Sequence, residues 1–600
     1  MSKKISPSKI QRLLKESTLF CNAGKLNEAK LIYQDLLKVV PSHPDVLANL
    51  GTIELQFGNT EIGVSYLKKS IFINSNQYIF LTNLGNGLMN LDKPEEAISY
   101  FDMALKIAPK ASHILYNKAR ALKSLKKFKE SEENYLAAIK TDSSNYLAYM
   151  DLAHLYNILE KYDLSVDFYS KAINIQPNNP QLFYNRGIVF ENQKKIELAL
   201  NDYENALKIN PNLDFVLSNK SGALSKLGLL NQALLEIDKA IKINKNNLDH
   251  LMKKAAFYQD LKDYKSANQI YDLVIKINPN FYEALSRKSL NQLLFGKFIE
   301  GWELYNNRWW NTPKLQTSKP ELLNFDITDK VILVWPEQGL GDQILYSSLL
   351  PEALTSKNTF LVSLDNRLID IYTRSFAYFS NIKFIPHNKL LISECLYDFQ
   401  IPIGSLGKFF RNHLKDFDRQ PKGFLKSSTD QANKLKEKIG FMNKKICGIS
   451  WRSANKQFGY EKSIALNELL PVLSRPDTIF LNLQYGEVEE EIVNFSDHHN
   501  IKIINISEID NFNDIDGLAS LISICDFVVT SSNVTAHLAG ALNKSTHLLI
   551  PYNYGRIWYW GENADRSLWY PSINIYRCNK SESWDHAIKL LSLKLSEAYD

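Results

Sequence analysis

Three short stretches in the second half of the chain hold residues able to carry charge, move a proton or grip a phosphate. The first is VILVWPEQGLGDQILYSSLL, residues 331–350. A β-branched run leads into Gly339-Leu340-Gly341-Asp342, and a helical pattern comes next. Glycines let backbone approach a ligand closely, and a helix start offers unpaired N–H groups. Position 344 is Ile, so the spacing is not GxGxxG and a dinucleotide fingerprint is excluded there. Asp342 has two roles open to it: taking a proton from an acceptor hydroxyl, or capping its own helix.

The second stretch, KKICGISWRSANKQFGYEKS (residues 444–463), runs as a buried strand into Trp451-Arg452-Ser453, with Lys456 and Lys462 nearby. Cations at a strand end can neutralise a diphosphate, or they can form a solvated basic loop. The third, DFVVTSSNVTAHLAGALNKSTHLLIP (residues 526–551), ends a strand in Ser531-Ser532-Asn533. A helix then opens through Thr535 and His537, so hydroxyls, free N–H groups and the helix dipole together suit an anion. Asp514-Ile515-Asp516 looks like the DxD of metal-dependent transferases, but it stands in a loop before a helix, and Asp516 reads as a helix cap.

Short β-branched runs alternating with helical stretches must position these residues. Strands are expected at 331–335, 359–363, 382–385, 398–401, 446–450, 478–483, 501–506, 527–530 and 546–550. This is an α/β pattern of two doubly wound, Rossmann-like halves, 329–430 and 431–600, which would bind ligands at the carboxyl ends of the strands.

The first half has a different order. Steps of 34 from Ala29 reach Gly63, Ala97, Ser131, Ser165, Ala199, Ala233, Ala267 and Gly301. The same step from Ser17 reaches Gly51, Gly85, Ala119, Ala153, Gly187, Ser221, Ala255 and Ser289. Four residues after the first series stand Tyr33, Leu67, Phe101, Tyr135, Tyr169, Tyr203, Ile237, Tyr271 and Tyr305. Two antiparallel helices can cross closely only where a side chain is small, and a bulky residue one turn later fills the hole beside the crossing. The pattern predicts an α-solenoid of about nine helix pairs over 8–313. Residues 314–328, polar and proline-containing, read as a linker. A polar column runs through the first helix of successive units: Asn49, Asn83, Asn117, Asp151, Asn185 and Asn219. An amide both donates and accepts, so such a ladder could hold an extended peptide by its backbone, or it could tie neighbouring repeats together.

Composition narrows the function classes. Against 65 acidic residues stand 71 basic ones, a net +6, so a strongly basic nucleic-acid protein is not expected. The five cysteines form no CxxC pair, which disfavours a zinc ribbon or disulfide scaffold and suits a reducing compartment. Neither a signal peptide nor a membrane span is read, so a cytoplasmic protein is expected.

The period and layout of the first half resemble the tetratricopeptide repeat, and its Asn column resembles the Asn-lined superhelix of protein O-GlcNAc transferases. In the second half PEQGLGD, GISWRS, LQYGE (483–487) and AHLAGAL resemble bacterial glycosyltransferases of the GT-B fold, close to the heptosyltransferase-like group. GKFIEGWELYNNRWW (296–310) is similar to the join in proteins that fuse such repeats to such a domain, and SLWYPSINIY (567–576) to that family's tail. The resemblance implies inverting, metal-independent sugar transfer, with a nucleotide-sugar as co-substrate and no bound cofactor. It makes Asp342 the general base. It places the donor against Gly339, Gly341, Trp451, Arg452, Ser453, Gln484, Ser532, Asn533, Thr535 and His537. Where that group usually carries Asp-Thr this chain has Ser532-Asn533, so a heptose donor is not carried over. The acceptor would be a polypeptide held in the repeat groove. The alternatives are a glycan or lipid-linked acceptor, or a scaffold with an inactive transferase-like domain.

Overall fold

The computed structural model describes residues 6–337, 339–387, 393–440, 444–454, 459–552, 557–579 and 583–599. The chain divides into two units, 1–250 and 251–600, and passes from one to the other within the helix Leu248–Asp260.

The first unit is a series of antiparallel helix pairs from Pro7–Asn22 to Leu230–Ile243. The two small-residue columns meet at the crossings, twelve residues apart in sequence. Ser131 Oγ donates to Ala119 O at 2.8 Å, and Ser165 Oγ to Ala153 O at 2.7 Å. A Cβ on Gly187 would lie 2.6 Å from the Tyr203 ring, so the small residue is a requirement of the packing. Tyr33, Leu67, Phe101, Tyr135, Tyr169, Tyr203 and Ile237 are all buried.

The turn inside each pair carries a second period that residue type conceals. Gly24, Gly58, Asp92, Lys126, Glu160, Lys194 and Gly228 all adopt positive φ, between 55° and 81°. Left-handed backbone costs an L-residue about 1–2 kcal/mol. Nothing lies within 4 Å of the space a Cβ on Gly58 would fill, so strain alone acts there. Gly58→Ala should therefore lower stability by about 1 kcal/mol in a chemical melt, with no loss of helical signal.

The second unit begins with repeat helices Tyr264–Ile277, Tyr282–Leu294 and Phe298–Tyr305 and continues into two parallel sheets. The first has the order β3-β2-β1-β4, from β1 (Val331–Trp335), β2 (Thr359–Leu364), β3 (Ile382–Pro386) and β4 (Phe399–Pro402). The second has the order β10-β9-β8-β5-β6-β7. Its strands are β5 (Lys445–Ser450), β6 (Thr478–Asn482), β7 (Ile503–Ile504), β8 (Phe527–Ser531), β9 (Thr546–Ile550) and β10 (Ile573–Arg577). The interior runs of β1, β2, β8 and β9 are buried on both faces, as parallel strands under helices must be. β7 is shorter than the expected 501–506, because it is an edge strand paired only through Ile503 and Ile504. β10 was not among the expected strands. It pairs along its whole length with β9.

Four helices flank the carboxyl ends of these strands: α1 (Leu340–Ser347) after β1, α2 (Gly459–Lys462) after β5, α3 (Ile515–Ile524) before β8 and α4 (Val534–Ala541) after β8. In each sheet neighbouring chain segments leave the central strand, β1 or β5, in opposite directions, and the carboxyl end of that strand is where a crevice opens.

The end of the repeats is built into the α/β core. Leu293, Phe298, Trp302 and Tyr305 share one buried cluster with β1 and α1. Trp302 Nε1 donates to Arg411 O at 2.7 Å, and its ring occupies the space that a Cβ on Gly407 would need. Tyr305 and Tyr346 share a hydroxyl–hydroxyl bond of 2.9 Å. Segment 314–328 lies along β4: Gln400 N donates to Pro320 O at 3.0 Å, and Leu322 N to Gln400 O at 2.9 Å. Among the described residues no helix is long and apolar enough to cross a membrane.

Candidate functional site

A cavity of about 290 Å³ opens where the carboxyl ends of β1, β5 and β8 converge. One wall is the start of α1, with Gly339, Leu340, Gly341 and Asp342. Opposite stand Ser532, Asn533 and His537 at the start of α4, Ser453 after β5, and Lys462 at the end of α2. The approach is close because Gly341 has no side chain. A Cβ there would lie 2.7 Å from His537 Cδ2.

Asp342 stands in the first turn of α1, three residues after the N-cap Gly339. Its carboxylate accepts from its own backbone N–H and from that of Gly339, so it helps to cap the helix while lining the cavity. Burial pushes its pKa up to about 7, and the neighbouring Glu337 carboxylate adds to the rise while Lys462 opposes it. That places a proton acceptor near neutrality, where a general base works best. Lys462 is 5% exposed and makes no salt bridge among the described residues. Burial lowers its pKa, and the charge on Asp342 acts against that.

His537 is buried between two tyrosine hydroxyls, Tyr570 at 3.1 Å from Nδ1 and Tyr559 at 3.2 Å from Nε2. Burial drives its pKa down to about 3, so the ring is neutral at physiological pH, one nitrogen donating and the other accepting. Ser532 Oγ accepts from Trp560 Nε1 at 3.0 Å. Asn533 is the N-cap of α4, and its amide nitrogen donates to Ser450 Oγ at 2.8 Å and Arg452 O at 3.1 Å.

The expected residues thus divide. Gly339, Gly341, Asp342, Ser453, Ser532, Asn533 and His537 share the cavity. Trp451, Arg452, Gln484 and Thr535 do not line it. Gln484 Oε1 accepts from Ser450 Oγ, Trp451 N and Arg452 N at 2.7–3.0 Å, so it holds the turn behind the wall. Trp451 is fully buried in the core beneath the second sheet. Thr535 Oγ1 donates to Ser450 Oγ, at 3.4 Å. Arg452 turns away to Glu491 at 2.7 Å and lines a separate groove with Glu487 and Glu490. Lys456 lies outside the described residues. Asp516 is not a cap. Asp514 caps α3, accepting from Gly517 N at 2.7 Å, whereas Asp516, one residue inside the helix, receives both terminal nitrogens of Arg374. That pair ties the two sheets' surroundings together.

Arg367, Tyr485, Asn511, Phe512 and Tyr559 also line the walls and were not anticipated. They come from loops far apart in sequence. The only local hint is LQYGE, which includes Tyr485.

In the first unit the polar column is half-buried throughout. Asn83 Nδ2 donates to Thr52 Oγ1 at 3.1 Å, Asn219 Nδ2 to Tyr184 OH at 3.0 Å, and Tyr116 OH to Asp151 at 2.9 Å. Each bond reaches the neighbouring repeat. Asn185 accepts from Gln181 within its own helix.

Tetratricopeptide-repeat family models match residues 79–110, 112–145, 180–213 and 251–281, and a TPR repeat model matches 153–194. The helical part is built of tetratricopeptide repeats. Protein FlbA of Caulobacter vibrioides is 26% identical over 317 residues, covering 49% of this chain. The chain spans about half, 51%, of that curated relative's length. Among solved structures, YrrB, described as a TPR protein with an unusual peptide-binding site, is 24% identical, with 31% of this chain and 97% of that one covered and a TM-score of 0.28. The C-terminal part of a TPR repeat-containing protein from Cytophaga hutchinsonii is 16% identical, with 40% and 98% covered and a TM-score of 0.36. A tetratricopeptide repeat protein from Parabacteroides merdae is 17% identical, with 42% and 99% covered and a TM-score of 0.35.

Proposed function

We propose that this chain is an inverting, metal-independent glycosyltransferase of the GT-B type. It moves a sugar from a nucleotide-diphosphate donor to a hydroxyl of a polypeptide captured by the repeats. One observation carries the reading: a carboxylate with a near-neutral pKa faces a buried lysine and a helix N-terminus across one cavity. Asp342 takes the proton of the acceptor hydroxyl as that oxygen attacks the anomeric carbon. The bond from that carbon to the phosphate oxygen breaks on the opposite face, so the configuration inverts. The phosphate leaves with the electron pair, and its growing charge meets Lys462 and the free N–H groups of α4. His537, neutral and held by two tyrosines, keeps that wall fixed without adding charge.

Solenoid repeats offer extended surfaces for protein partners, which suits a polypeptide acceptor. A second reading makes the chain a scaffold with an inactive transferase-like domain. On either reading, the bonds from Asn83 and Asn219 to neighbouring repeats occupy amides that a captured peptide would need.

A panel of UDP-, ADP-, GDP- and CMP-sugars separates the two. On the enzyme reading one donor raises the melting temperature and is transferred to a co-expressed protein. Changing Asn83 and Asn219 to Ala together then abolishes that transfer and preserves the donor-induced shift. A panel without any shift would leave the scaffold.

A further inference from the structure

The Asp342 wall is held from behind by the segment that closes the repeats. Arg308, 7% exposed, sends Nε and Nη2 to the two carboxylate oxygens of Glu337, the Nη2 bond at 2.9 Å. The rest of its guanidinium is also used: Nη1 donates to Tyr305 O and Nη2 to Ser405 Oγ, both at 2.9 Å. Glu337 in turn accepts from Gly404 N at 2.6 Å, and its Oε1 fills the space a Cβ on Gly404 would need. Glu337 stands in the loop between β1 and α1, five positions before Asp342. Tyr346, one turn after Asp342 on α1, bonds Tyr305. The loop that leads to the base and the helix that carries it are thus held by Arg308 and Tyr305.

We propose that Arg308 and Glu337 act as a positioning pair for Asp342, through which the end of the repeats fixes both the loop that leads to the base and the charge the base faces. This rests on the reading of Asp342 as a base. Two carboxylates in one wall repel, and the repulsion disfavours the anion of Asp342. The guanidinium on Glu337 offsets that repulsion. Glu337 raises the pKa of Asp342, and Glu337 in turn holds the charge on Arg308. The other groups around Asp342 are Lys462 on α2, His537 on α4, Arg367 across the cavity, and the hydroxyls of Tyr305, Tyr346, Tyr559 and Tyr570. The tyrosines keep their protons in the neutral range and Arg367 is paired with Asp365 at 2.9 Å, so the charges that act on Asp342 are Glu337, held by Arg308, and Lys462.

The test is the pH profile of kcat/KM, paired with the melting-temperature difference between each protein and its Asp342→Asn counterpart from pH 4 to 9. Glu337→Gln keeps Arg308 and removes the repulsion, so the acidic limb should move about one pH unit lower. Glu337→Gln with Arg308→Met removes both charges and should bring the limb back towards the wild-type position, although its packing is the more damaged. Arg308→Lys keeps the charge and should leave the limb in place. A merely structural pair would lower activity and stability without this reversal. A limb unmoved by Glu337→Gln, or one that stays low in the double variant, overturns the proposal. If no donor supports turnover, the base reading fails. The melting-temperature differences still report the titration of Asp342, and their lack of movement would sink the pair separately.

Discussion

Asp342→Asn should slow transfer by about 100- to 10,000-fold while leaving the donor-induced rise in melting temperature intact. The amide keeps the shape of the side chain and cannot accept the acceptor's proton. An unchanged rate would remove Asp342 from the chemistry. The pH dependence comes from the same environment. The carboxyl holds its proton up to about pH 7 in the folded protein, because burial and Glu337 disfavour the anion. In the unfolded chain it loses that proton near pH 3.9. Activity should therefore fall as pH drops below about 7. Stability runs the other way. The folded state binds the extra proton between those values, so the contribution of Asp342 is full at low pH and is lost as pH rises towards 7. Asp342→Asn should melt at a higher temperature than wild type above pH 7 and at the same temperature near pH 4, which a thermal scan across pH reads directly.

Lys462→Met should lower kcat by about 100- to 1,000-fold. The ammonium is buried against the cavity and makes no ion pair among the described residues, so its charge is available to a developing phosphate anion. Methionine retains most of the apolar stem and removes the charge, so packing is nearly preserved. The effect should be larger on kcat than on KM, because the leaving phosphate gains charge in the transition state. It should also make Asp342 a weaker acid, since Lys462 holds that carboxyl's pKa down. The acidic limb in the variant should then lie above the wild-type position. A loss confined to KM would reassign Lys462 to ground-state binding, and no loss at all would remove it from the site.

The repeat phase, the order of nine strands and seven of the residues that line the cavity were visible in the sequence. Each depends on local pattern. A fixed step of small and bulky residues means stacked helix pairs, β-branched runs mean buried parallel strands, and a Gly-rich turn between strand and helix marks the strand's carboxyl end. Other features left no such trace. Left-handed turns filled by Asp92, Lys126, Glu160 and Lys194 share a period but no residue type, because the turn is imposed by the helices on either side. Arg452 and Lys462 read alike as cations near one strand end. Only the path of the loop decides that Arg452 meets Glu491 while Lys462 enters the cavity. Gln484 carries a motif yet spends its oxygen on three partners behind the wall. Arg308 and Glu337 sit on opposite sides of a segment that reads as a linker, and that segment pairs with β4. Local periodicity determined which elements form and in what order. The tertiary structure decided which charges face one another, because a pKa near 7 on Asp342 and a buried cation at Lys462 come from burial by residues distant in the chain.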